Sequence, residues 1–142
     1  MTIYCDLLLL FIIALAAGFD IKKQQIPNLL SCSVIIPTAF KMIVEPVSYV
    51  DLAIGFAVPL LLFGVPFLIK GAVGGGDLKL ASMCGLYLGS KGVLTMLFTG
   101  MVLCILSALA VMAIRRKRIR QMPFAPFMLA GTAHFLLFAY LP

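Results

Sequence analysis

Ile3–Phe19 reads IYCDLLLLFIIALAAGF, and Asp20-Ile21-Lys22-Lys23-Gln24-Gln25 closes it. Apart from Asp6 the run carries no charge. At 1.5 Å of rise per residue it approaches the length a helix needs to cross a hydrocarbon layer about 30 Å thick. The same grammar repeats outward from it. Pro27–Val44, Leu52–Ile69, Leu78–Leu88, a run from Gly92 to Ile114, and Phe124–Leu141 are further apolar stretches. Short polar breaks separate them: Gln24–Gln25, Glu45–Asp51, Lys70–Asp77, the turn Gly89–Gly92 and the basic run beginning at Arg115.

The whole chain agrees with this reading. Its 142 residues are 63% hydrophobic and 11% charged, with a mean hydropathy of +1.18. A soluble domain is about 45–50% apolar and about 25% charged, so this sequence cannot furnish a water-facing exterior. It predicts an all-α membrane protein, a single domain over residues 1–142 built as a compact bundle of about six transmembrane helices. No room remains for a soluble domain. Met1–Asp6 carries an acid where a cleavable signal would carry basic residues, so the first run is read as a retained helix.

Charge gives the orientation. The net charge is +6, which in a soluble protein would raise nucleic acid as a partner; here there is no soluble face to support one, and nucleic-acid binding is set aside. Nine of the eleven basic residues fall in odd-numbered loops: Lys22 and Lys23, Lys70 and Lys79, then Arg115, Arg116, Lys117, Arg118 and Arg120. Only Lys41 and Lys91 remain for the even-numbered ones, and Lys41 is expected to snorkel outward. Positive charge favours the cytoplasmic side, which places the odd loops there and both termini outside.

Cys5, Cys32, Cys84 and Cys104 each stand alone within apolar sequence. With no C-x-x-C pair they encode neither a zinc ribbon nor a redox site and read as small buried residues. His134 is the only histidine and is expected to be a hydrogen-bonded position inside the bundle. It has no second ligand at metal-binding spacing, so neither a metal nor another cofactor is expected.

Five acids remain. Asp6, Glu45 and Asp51 fall on the outer side, whereas Asp20 and Asp77 each abut a span on the inner side. One reading is structural: Asp77 caps its own helix, where the dipole favours an anion, and both acids pair with Lys22, Lys23 or Lys79. Asp20, at the C-terminal end of its run, suits that reading only if it has crossed into the loop. The other reading is chemical. Two carboxylates a few ångströms apart cannot both ionise easily and share a proton, so one can activate a water while the other polarises a carbonyl. Gly74-Gly75-Gly76 would let backbone approach Asp77 closely, and no phosphate-binding signature accompanies them. Lys22 and Lys79 lie two residues beyond the two acids and could tune the pair, although topology alone accounts for them. Pro27 and Pro123 suit the first turns of helices, and Pro59 and Pro66 predict kinks in the third run.

These residues resemble a known family. Gly74-Gly75-Gly76-Asp77-Leu78-Lys79-Leu80 is similar to the G-x-G-D motif of type IV prepilin peptidases. Asp20, followed by Ile26-Pro27-Asn28, is similar to the family's first aspartate and its continuation. Met122-Pro123-Phe124-Ala125-Pro126-Phe127 resembles the Pro-Phe-x-Pro-Phe segment that opens its last helix. The motifs occur in family order from Asp20 to Phe127. The resemblance implies an aspartyl endopeptidase of the inner or plasma membrane that needs no cofactor. Its substrates would be prepilins or pilin-like proteins, whose basic leaders it would remove at the cytoplasmic face. Asp20 and Asp77 match the family's catalytic pair, the bilayer is the other partner, and a homo-oligomer is admissible. Long family members carry a methylating domain with paired cysteines. This chain lacks those pairs, so it resembles the short form of Flp/Tad-type pilus systems, from which no methylation is expected. Archaeal preflagellin peptidases are related. Presenilin-type proteases fit less well, since Phe19 rather than Tyr precedes Asp20 and no Pro-Ala-Leu follows. The rival reading is a small proton-coupled transporter or channel subunit with Asp20 and Asp77 as a relay. That reading needs acids along a path through the bilayer. A third, a scaffolding subunit, requires both acids to be dispensable.

Overall fold

The computed structural model describes residues 2–23, 25–70, 74–115 and 123–141. The run Arg116–Arg120, Gly71–Val73 and Met122 lie outside the described residues. Everything regular among the described residues is helical: α1 (Thr2–Lys23), α2 (Asn28–Ser33), α3 (Ile35–Val44), α4 (Tyr49–Lys70), α5 (Gly75–Arg115) and α6 (Ala125–Tyr140). Among the described residues, three helices are long and apolar enough to cross a membrane, over Ile3–Lys23, Tyr49–Leu68 and Gly75–Ile114. The apolar stretches Asn28–Val44 and Ala125–Tyr140 are shorter.

The second run, expected as one helix, is divided at Val34. Pro37 explains the division: its ring removes the N–H that would reach Ser33 and crowds the carbonyl there. Hydroxyls take up the loosened backbone, Ser33 Oγ donating to the Leu30 carbonyl and Thr38 Oγ1 to that of Val34, both at 2.7 Å. α4 runs as one helix through both Pro59 and Pro66, the two positions at which kinks are expected.

α5 is the hub, packing against α2, α3, α4 and α6, while α1 lies against α2, α3 and α6. As a straight rod its 41 residues would measure about 62 Å, twice the hydrocarbon thickness. The helix avoids this by breaking at Gly89, whose φ of 73° and ψ of −176° leave helical geometry. The β-carbon position of Gly85 lies 3.1 Å from Val93 Cγ2. Eight residues would separate them by about 12 Å in an unbroken helix, so the chain turns sharply here. The turn expected over Gly89–Gly92 thus contracts to a single residue, and the fourth and fifth runs become two arms of α5.

The break leaves backbone groups to be satisfied. Lys41 Nζ donates to the Tyr87 carbonyl at 3.3 Å and stands 4.4 Å over the Tyr87 ring. Lys41 therefore turns inward rather than snorkelling away. Asp51 accepts from the Ser90 N–H at 3.3 Å and from its hydroxyl, in the manner of an N-cap supplied by another helix. A side chain at Gly89 would collide with the Asp51 carboxylate.

Candidate functional site

Asp20 lies within the last turn of α1, not beyond it, because the helix continues to Lys23. The unfavourable C-terminal dipole is offset from outside. Asp20 is 5% exposed, and its Oδ2 accepts from the backbone N–H of Ala125 at 3.1 Å. Ala125 opens α6, so the positive end of that dipole faces the carboxylate. Pro126 occupies the first turn of α6, while Pro123 precedes the N-terminal cap. Pro27 likewise caps α2 from outside, its carbonyl accepting from Leu30 N at 3.0 Å. Pro27 thus stands one residue, and Pro123 two, ahead of the first helical position.

Asp77 falls in the first turn of α5. Its Oδ1 is buried and has no hydrogen-bond partner among the described residues. Asp20, Asp77, Gln25, Ile26 and Gly74–Gly76 line one cavity of about 260 Å³, across which the two carboxylates act on each other electrostatically. The sequence separates them by more than fifty residues, and the fold brings them to one end of the bundle.

The glycines have different duties. A β-carbon at Gly76 would sit 3.0 Å from Ile26 Cβ and 3.3 Å from Ile26 N. The segment after α1 therefore presses directly on the first turn of α5, and only glycine leaves it room. A β-carbon at Gly75 would meet the Phe67 ring at 3.5 Å, and one at Gly74 would meet Asp77 Oδ2 at 3.3 Å. Lys79 Nζ adds a second tie, donating to Asn28 Oδ1 at 3.0 Å. Lys79 thus turns to Asn28 and not to a carboxylate, and Lys22 is exposed. The Phe63 and Phe124 rings meet edge-on with centroids 5.7 Å apart, joining α4 to the approach to α6. Three segments distant in sequence, around Asp20–Asn28, Gly74–Lys79 and Phe124–Ala125, build one site.

The profile of the type IV leader peptidase family matches residues 7–109. The chain belongs to this family. It is accordingly a protease, and its three long apolar helices fit a membrane protein. The span matched by the leader peptidase family includes Asp20 and Asp77 and ends before Phe124, so the place of α6 beside the site rests on the Asp20–Ala125 hydrogen bond. No curated protein and no solved structure matches the chain. Among the described residues, no group of three or more His, Cys, Asp or Glu could hold a metal ion.

The opposite end of this leader peptidase carries polar residues that sequence reading passed over. Asp6, 7% exposed, accepts from the Tyr87 hydroxyl at 2.6 Å and from the Tyr140 hydroxyl. Only one signal pointed to it: Asp6 lies on the same side of α1 as Asp20, four turns away. His134 departs from expectation, being exposed with its ring 4.7 Å from that of Phe138. A relay would spread the acids along a path, whereas Asp20 and Asp77 share one cavity.

Proposed function

We propose that this chain is an aspartyl endopeptidase that removes leader peptides from prepilin or pilin-like proteins, with Asp20 and Asp77 as its catalytic pair. The observation that carries the reading is the shared cavity, in which Asp20 is held by a backbone N–H while Asp77 Oδ1 is buried with no partner among the described residues. A buried polar atom left unpaired is costly and calls for a functional reason. In the proposed reaction the pair shares one proton. The ionised carboxylate takes a proton from water, and the resulting hydroxide adds to the scissile carbonyl. The protonated partner donates to the carbonyl oxygen. Collapse of the tetrahedral intermediate breaks the C–N bond and passes a proton to the leaving amine. Because the pair titrates as a unit, neither acid is assigned a fixed role.

The site would face the cytoplasm of a cell membrane, a side supported by the clustering of basic residues in the same loops. The first-turn N–H groups of α5 and the glycine wall suit an extended substrate chain more than a bulky side chain. No N-methylation is expected, since the four cysteines are scattered over α1, α2 and both arms of α5.

The test is co-expression with a pilin-like substrate bearing a basic leader, a glycine and an apolar helix, followed by immunoblotting for the shortened product. Asp20→Asn and Asp77→Asn should each abolish processing while the protein still inserts into the membrane. Normal processing by either variant would overturn the reading.

A further inference from the structure

We infer that Asp6, with Tyr87 and Tyr140, forms a positioning site that sets the register of α1 and so holds Asp20 opposite Asp77. This rests on the function proposed above.

Asp6, Leu9, Ile13, Ala16 and Asp20 are all buried and recur at alternating spacings of three and four along α1. They form a single seam along α1, on the side packed against α6. The two acids are its ends, about 21 Å apart at 1.5 Å per residue. Their partners on α6 are Tyr140 and Ala125, about 22 Å apart by the same rise. The antiparallel helices are thus pinned at both ends by carboxylates whose separations match. Tyr87 pins the first arm of α5 to the same Asp6 oxygen cluster, about 15 Å along the helix from Asp77. Lys41 holds Tyr87 in turn through its carbonyl and ring.

Between the two pins the seam is smooth. Leu9, Ile13 and Ala16 offer dispersion contacts that tolerate a slide, whereas hydrogen bonds to a buried carboxylate do not. A slip at the far end travels the length of a stiff helix. One residue of register is about 1.5 Å, and a misplacement of about 1 Å at reacting groups costs about a hundredfold in rate. The tyrosine cluster lies well outside the cavity, so its contribution to catalysis can only be geometric.

Two measurements test this. Asp6→Asn should lower kcat for leader cleavage by about tenfold with KM little changed, and Tyr87→Phe, which removes one hydroxyl, should do so more mildly. The second measurement needs no substrate. The Gly76 β-carbon position lies 3.0 Å from Ile26 Cβ, close to the roughly 3.8 Å of a disulfide. An Ile26→Cys/Gly76→Cys chain should therefore oxidise readily, the linked peptide being read by its mass. Adding Asp6→Asn should slow that oxidation severalfold. Asp51→Ala, which removes the Ser90 cap where α4 meets α5, supplies a comparison that loses thermal stability without altering α1 or α6, and it should leave the oxidation rate unchanged. The inference is overturned if Asp6→Asn slows oxidation no more than Asp51→Ala does, or if kcat is unaffected. Failure of the wild-type chain to cleave any leader would refute the proposed function instead, leaving the oxidation rate to decide this point.

Discussion

Gly76→Ala is the sharpest single perturbation, because the structure sets its size. The added methyl would lie 3.0 Å from Ile26 Cβ and 3.3 Å from Ile26 N. Ordinary carbon contacts lie at about 3.5–4.0 Å, so the two segments must part by about 0.5–1 Å. Ile26 is buried in the core, and the 3.3 Å contact is to backbone, so rotating a side chain cannot relieve it. Overpacking of this kind costs about 1–3 kcal/mol. The larger consequence is at the cavity, whose wall carries Ile26 and Gly76 beside both acids. A displacement approaching 1 Å there should lower kcat/KM by about ten- to a hundredfold. Leader cleavage in isolated membranes, with the amount of inserted protein measured in the same samples, reads this directly. The control is Gly64→Ala, where an added methyl meets nothing within 4 Å and a helix gains up to about 1 kcal/mol. Cleavage by Gly76→Ala equal to that of Gly64→Ala would refute the reasoning.

Three further outcomes are expected. Lys79→Met and Asn28→Ala each remove the exposed tie at 3.0 Å; a net loss of about 0.5–1.5 kcal/mol should lower cleavage severalfold, and the double variant should lose no more than either alone. Asp51→Ala deprives Ser90 of its cap, which should cost about 1 kcal/mol and show as a lower melting temperature in detergent with leader cleavage retained below the transition. His134→Leu replaces an exposed side chain on α6 and should leave both cleavage and melting unchanged; a marked loss of activity would overturn the placing of His134 outside the site.

Much of this was legible in the sequence because bilayer physics is coarse. Apolar runs announce helices, and loop charge alone sorts the acids into two sets. The convergence of Asp20 with Asp77 could be anticipated from shared depth, and the importance of Gly74–Gly76 from composition. What sequence could not supply were contacts at long range. Nothing in Ile26 says that it rests against Gly76, and nothing in Ala125 says that its N–H serves Asp20. Lys41 and Asp51 looked like loop charges, yet their roles are set by a break at Gly89 whose orphaned backbone groups had to be paired. Helix limits failed where a terminal dipole was rescued by a neighbour, as at Asp20, or where a proline acted one turn upstream, as Pro37 does on Ser33.

The glycine wall also bears on how clients are chosen. A surface made of peptide groups can pair with the main chain of almost any unfolded segment and is nearly blind to the letters of its sequence. In the proposed reaction, discrimination would then come from delivery: a polypeptide would be cut where its own hydrophobic helix ends and its strand emerges at the height of the two acids. Lengthening or shortening that helix in a client should move the cut, or abolish it, more effectively than changing the residues around the bond.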